Sequence, residues 1–383
     1  MIDTKKNIDY AMINERLSAV VGYLMVFGMN IYLVKLVYYS PVYYIIGISL
    51  LVSVLYLPFL NRLTLSKDVV LAMFLLVYVI LSQYEYILGG ATINIIISLG
   101  AYIVLRVLKK HIGIKKMLTY IDVAVIVALI LLFIDTIYRF MYPYIPDSAL
   151  YNLFSSKNIE FYYYKYNSFM FGDSNSVGLC AMIMLFLLLA LSKIEYKNQR
   201  RDYVFMFLLL TILIMSLSRA SIIALLFGVI LYKYWEKNKV LILFVAFFAV
   251  YVLYFILLND LSYKTKIGLI DIVKLFVLNS DNYELLFGIG LGESKEIFIR
   301  GSHSLFVTYF VEMGVFGLSL AMSFYITYMI RYGVYILVPV FIAGVSFFLY
   351  AGTPFLFVPL ALFANIVDEK RNSESFVSRC KTR

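Results

Sequence analysis

The chain has 383 residues, of which 63% are hydrophobic and only 15% charged, with a net charge of +10. A soluble domain carries roughly half apolar and about a quarter charged residues, so this composition excludes an ordinary soluble enzyme. The two cysteines, Cys180 in an apolar run and Cys380 in the tail, exclude a disulfide framework and offer no metal-ligand spacing.

Many apolar stretches reach about 17–25 residues, the length that crosses a bilayer core as a helix. Helices are expected because backbone groups in lipid must be satisfied within the segment. Runs such as Val123–Phe133 and Val240–Leu258 do not alternate as barrel strands do. The first 16 residues are polar, and the apolar run after them is too long for a cleavable signal peptide. Twelve spans follow in chain order, near 17–37, 42–60, 69–88, 91–108, 118–142, 169–192, 203–218, 219–233, 240–258, 304–330, 332–350 and 353–367. The last two are short, so eleven spans is the alternative count. The fold expected over 1–383 is therefore one all-α polytopic membrane domain.

Charge orients it. With the N-terminus in the cytoplasm, 23 of the 33 basic residues fall in cytoplasmic segments, including Arg106, Lys109, Arg201, Arg331 and Lys370. This is the positive-inside pattern, with both termini cytoplasmic. The positive charge is thus a topology signal and a poor argument for nucleic acid. Two segments outside are long: 143–168, rich in tyrosine, and 259–303, the largest soluble piece. Long loops in compact folds are commonly functional. Ile267–Leu278 reads as an amphipathic helix within the second. No internal repeat or appended soluble domain is visible.

Ionisable residues at membrane depth are costly and are functional candidates. Arg219, in Ser216-Leu217-Ser218-Arg219-Ala220-Ser221, sits where spans seven and eight meet the outer face. Its planar fork matches phosphate oxygens, and Ser218 and Ser221 can add hydrogen bonds. The bland alternative is an arginine snorkelling to headgroups. His303, where the large loop re-enters the membrane, can take a proton from a sugar hydroxyl near neutral pH. Asp173 and Asn175 stand at the mouth of span six, where they bind sugar hydroxyls or cap the helix. Glu312 lies inside span ten and needs a partner or an aqueous cavity. Gly288-Ile289-Gly290-Leu291-Gly292 follows no strand, so it reads as a flexible turn rather than a nucleotide loop. Asp281, Glu284, Glu293 and Glu296 read as solvated loop charges, with no metal site. His111, in a basic inner loop, carries no functional reading.

Three features in order resemble the O-antigen polymerase and ligase family. They are Phe171-Gly172-Asp173-Ser174-Asn175, then Leu217-Ser218-Arg219-Ala220-Ser221, then Leu286-Phe287-Gly288-Ile289-Gly290 followed by His303-Ser304, Glu312, Gly314 and Gly317. The match covers roughly 165–320. Family members often have proline where Ser174 stands, and commonly an arginine early in the large loop, where this chain has Lys264 and Lys266. The resemblance implies a glycosyltransferase-like membrane fold with no metal or cofactor. It implies a polymerase in a bacterial inner membrane, joining undecaprenyl-diphosphate-linked repeat units at the outer face, with a flippase and a chain-length regulator as partners. Arg219 would stabilise the leaving diphosphate, assisted by Lys264, Lys266 or Arg300, with His303 as base and Asp173 or Glu312 orienting it. The alternatives are a ligase to lipid A core, a flippase for lipid-linked oligosaccharides, and a structural scaffold.

Overall fold

The structure is a computed structural model that describes residues 2–56, 65–145, 151, 155, 160–194, 199–234, 271, 273–294, 304–345 and 353–381. Among them the architecture is all-helical, with a single isolated bridge between Ser168 and Gly172. The helices are α1 (Ile2–Gly28), α2 (Pro41–Tyr56), α3 (Lys67–Ser82), α4 (Gly90–Leu108), α5 (Ile114–Met141) and α6 (Ser174–Lys193). They continue as α7 (Gln199–Met215), α8 (Arg219–Tyr234), α9 (Asn282–Phe287), α10 (Leu305–Tyr332), α11 (Leu337–Gly344) and α12 (Pro354–Lys381). Short 3-10 turns lie at Tyr84–Tyr86, Lys109–His111 and Glu160–Tyr164.

Four of these, α4, α5, α6 and α10, are long and apolar enough to cross a membrane, and α2 is a shorter apolar helix. The outside of the bundle exposes Leu55, Phe74, Leu81, Phe207, Leu226 and Ile330. A water-soluble surface rarely leaves such side chains out in numbers. The apolar helices are those of a membrane-embedded protein. Spans expected at α3, α7 and α8 appear as helices of 16 or 17 residues, and the segment 240–258 lies outside the described residues.

Among the described residues, α4, α6 and the first half of α12, buried throughout 354–368, form the interior. α4 packs against α2, α3 and α12; α6 packs against α5, α7, α8 and α12, so α12 bridges the two groups. Nearly every position of α6 from Val177 to Leu191 is buried. α10 packs on α3, and α9 packs on α10.

The first span departs from the expected 17–37. α1 ends at Gly28, where an added Cβ would lie 2.6 Å from Ile45 Cγ2. Beyond it, the amides of Val34 and Lys35 donate to the carbonyls of Met170 and Phe169 at 3.2 Å. The chain gives up helix there to anchor the end of the tyrosine-rich loop. In the second loop, residues 273–279 are helical, in keeping with the amphipathic reading of that stretch.

Candidate functional site

Two assemblies hold the candidate residues. The first is built where α5, α6, α7 and α8 meet the end of the tyrosine-rich loop. α7 stops at Met215, and α8 restarts at Arg219 after a turn in which Leu217 has φ 57°. A leucine in the left-handed region costs of order 1–3 kcal/mol and persists only where neighbours hold it. The serines do so. Ser216 Oγ donates to Leu213 O at 2.6 Å and accepts from Ser218 N at 3.2 Å. Ser218 Oγ and Ser221 Oγ share a hydrogen bond at 3.0 Å. The turn lies on Gly178 of α6, where a Cβ would stand 2.4 Å from Ser216 Oγ. Ser218 and Ser221 are therefore buried in the turn, and Arg219 is the half-buried residue it presents.

Arg219 Nη2 donates to Tyr162 Oη at 2.9 Å, and its guanidinium stands 5.9 Å from the centre of that ring. Asp173 caps α6: Asn175 N donates to Asp173 Oδ1 at 2.5 Å, and Asn175 Nδ2 donates to Oδ2 at 2.9 Å. The capping alternative is thus realised, with Asp173 and Asn175 bonded to each other. Ser174 Oγ donates to Ser216 O at 2.5 Å, tying the start of α6 to the serine turn. Arg219, Ser218, Ser221, Asp173 and Asn175 therefore belong to one assembly.

Beneath it lies a pair that sequence reasoning missed. Asp135 and Arg139, one turn apart on α5, are fully buried and ion-paired at 3.1 Å. Asp135 Oδ1 accepts from Ser168 Oγ at 2.8 Å and from Met170 N at 3.1 Å. Arg139 Nη1 donates to Tyr164 O at 2.9 Å. The pair thus fastens the stretch that follows Tyr162, at Tyr164 and at Ser168 and Met170. Its signal was present in the sequence, as an acid and a base at i, i+4 inside an apolar run.

The second assembly contains Glu312. α10 is broken at Gly314, with φ 65° and ψ −172°. The glycine run docks backbone to backbone against this break. Ile289 N donates to Val311 O at 3.0 Å, and Gly290 N donates to Glu312 O at 3.2 Å. Gln83 Oε1 accepts from Leu291 N at 2.7 Å, and Tyr78 Oη donates to Met313 O at 2.5 Å. A Cβ on Gly288 would stand 2.2 Å from Glu312 O. The run is therefore a close-packed dock with positive φ at Gly288, Gly290 and Gly292, not the loose turn expected. Glu312 itself is 1% exposed, faces Ser294 and Gly292, and its Oε2 has no hydrogen-bond partner among the described residues. Lys264, Lys266, Arg300 and His303 lie outside the described residues.

A third cluster, also missed, closes the other end of the bundle. Arg106 donates to Asp68 at 3.1 Å, Asp368 at 2.8 Å and Asn365 at 2.6 Å, and to Tyr332. Lys109 and Arg331 reach Asp368 at 3.0 and 3.3 Å. Burial pushes the Asp368 carboxyl up, but Arg106 and Lys109 pull it down further, below its ordinary range. No group of three or more His, Cys, Asp or Glu among the described residues could hold a metal ion.

These features define a class: an all-helical membrane-embedded protein with a cation presented on a strained turn at one end and a sealed ion cluster at the other. No family model matches the chain, and no curated protein matches it.

Proposed function

We propose that the chain is a polymerase of undecaprenyl-diphosphate-linked oligosaccharides, acting at the outer face of a bacterial inner membrane. The observation that carries the reading is Arg219, half-buried at the head of α8, on a strained turn and oriented by Tyr162. Backbone strain of this kind gathers where a side chain must be presented. The motif resemblance supplies the reaction. The acceptor sugar hydroxyl attacks the anomeric carbon of the donor glycan, and the bond from that carbon to the diphosphate oxygen breaks. The hydroxyl proton passes to His303. The leaving diphosphate gathers negative charge, which Arg219 stabilises. The fold in this reading has twelve spans, a glycosyltransferase-like arrangement and both termini in the cytoplasm. A flippase supplies repeat units, and a chain-length regulator works alongside.

The arrangement of charge supports this topology. Asp68, Arg106, Lys109, Arg331 and Asp368 meet at one end, next to segments read as cytoplasmic. Arg139 lies near the far end of 28-residue α5, about 40 Å long. A flippase would be expected to line an inner cavity with charge. Among the described residues Asp135 pairs with Arg139, and Asp68 and Asp368 close on Arg106, which favours an enzyme acting at the outer end.

A ligase to lipid A core shares the donor chemistry. The glycan profile of a deletion strain separates the two. Single repeat units on lipid A core are expected for a lost polymerase. Bare core with long polymer retained on the carrier would identify a ligase and overturn the assignment.

A further inference from the structure

We propose that Arg139, anchored by Asp135, is the positioning residue for Arg219: one buried guanidinium closes the two chain ends whose meeting fixes the Arg219 side chain. The inference rests on the reading above, in which Arg219 does the chemistry and the buried pair has no part.

Arg139 lies in the last turn of α5, where a cation suits the helix dipole. Its side chain and that of Asp135 are both 0% exposed. A buried ion pair is a weak source of stability, because desolvation offsets much of its attraction. The partners show what this pair does. Arg139 Nη1 donates to Tyr164 O at 2.9 Å, and Nη2 reaches Thr136 Oγ1 at 3.4 Å and Met215 O at 3.5 Å. Nε serves Asp135 at 3.1 Å.

The two backbone carbonyls share a position. Tyr164 ends the 3-10 turn Glu160–Tyr164, and Met215 ends α7. Carbonyls at the end of a helix have no partner within it, and a basic side chain can cap them. One planar fork therefore caps two ends at once, a geometry that an ammonium does not reproduce. The first end carries Tyr162, two residues before the capped carbonyl. The second leads into the serine turn, and Arg219 follows Met215 by four residues. Arg219 Nη2 then donates to Tyr162 Oη at 2.9 Å. The contacts form a closed ring. It runs from Arg139 through Tyr164 and Tyr162 to Arg219, and back through the turn to Met215. Asp135 holds the chain beyond Tyr164, by accepting from Ser168 Oγ and Met170 N. Phe140, next to Arg139, stacks on Tyr164 with centroids 5.1 Å apart. A shift of the Arg139 fork therefore moves both supports of Arg219 together.

The test compares wild type, Arg139→Lys and Arg139→Met, each as the purified full-length chain in phosphatidylcholine nanodiscs. Phenylglyoxal modifies arginine, and peptide mass spectrometry follows its rate at Arg219. Arg219 is expected to react severalfold faster in Arg139→Met. A smaller increase is expected in Arg139→Lys, which keeps the charge beside Asp135 and with it the fold. In proteoliposomes with lipid-linked repeat units, both variants are expected to lose kcat, by about 10- to 100-fold for methionine, with KM unchanged. Arg106→Lys, a matching change in the ion cluster at the other end, is the control for general loosening and should keep wild-type labelling and kcat. Wild-type labelling of Arg219 in both Arg139 variants would overturn the proposal. So would faster labelling with wild-type kcat, or an equal change in Arg106→Lys. If Arg139→Met does not insert, Arg139→Lys decides by the same criteria. A wild type that makes no polymer would remove the polymerase reading, while the labelling still decides whether Arg139 holds Arg219.

Discussion

Replacing Gly314 with alanine demands a backbone geometry that L-residues avoid, in space already filled. Its φ of 65° and ψ of −172° fall in a region occupied essentially by glycine alone. An added Cβ would lie 2.3 Å from the backbone C and O of Leu286, atoms that cannot rotate away. The strain costs about 1–3 kcal/mol, and overpacking adds about 1–3 kcal/mol. The chain has one escape, which is to straighten α10. Alanine then gains at most about 1 kcal/mol over glycine. Straightening, however, releases the bonds from Ile289 and Gly290 to Val311 and Glu312, each worth about 1 kcal/mol. Staying bent costs about 2–6 kcal/mol and straightening about 1 kcal/mol net, so the variant should be at least about 1 kcal/mol less stable. Unfolding in mixed detergent micelles, followed by circular dichroism, measures that loss. Amide hydrogen exchange over residues 286–292 reports whether the dock has opened, and faster exchange is expected. Gly47→Ala is the control, since no heavy atom lies within 4 Å of its added Cβ. It should match wild type or exceed it by up to about 1 kcal/mol. A Gly314→Ala protein with wild-type stability and exchange would refute the docking account.

Arg106→Met should cost about 3–5 kcal/mol, because it strands the buried Asp68 and Asp368; a loss under about 1 kcal/mol in the same unfolding assay would contradict the cluster's role. Asp368 is held below its ordinary carboxylate range, so its contribution is fully present above about pH 4 and fades only as pH falls through the lowered value. The stability gap between wild type and Asp368→Asn should therefore stay constant from neutral to mildly acidic pH and shrink only in strong acid. For topology, an impermeant maleimide on intact spheroplasts should label Leu278→Cys, at a site 78% exposed, and spare Ser373→Cys; labelling at Ser373 would sink the orientation. Ser294 is only 5% exposed and is unsuited as the outer reporter. His303→Arg should be as inactive as His303→Ala in polymer-ladder assays, since arginine keeps the charge but cannot accept a proton; clear activity in the arginine variant would make His303 a phosphate clamp instead.

Local patterns were legible in the sequence where one stretch of chain carries the whole signal. The starts of α4, α5, α8 and α10 fall within a few residues of the expected spans. Arg219 heads its helix, and Asp173 caps one, because both are matters of neighbouring residues. Features made by distant segments were not legible. Arg106 looked like one more inner-loop charge, yet its partners are 38 and 262 positions away. The glycine run looked loose because glycine permits both a flexible turn and a close approach, and only the broken α10 decides between them. The early end of α1 depended on pairing with residues 169 and 170, which no periodicity announces. Asp135 and Arg139 were the exception, local and overlooked, because an i, i+4 pair inside an apolar run is visible without any structure.

The central claim is that Arg219 serves a glycosyl transfer from a lipid diphosphate. It is tested most directly by reconstituting the purified chain in proteoliposomes with undecaprenyl-diphosphate-linked repeat units and following polymer length on gels. The account expects a ladder with wild type, little polymer with Arg219→Lys, because an ammonium cannot reproduce the planar fork, and none with normally inserted Arg219→Ala. A wild-type ladder from Arg219→Ala would contradict it.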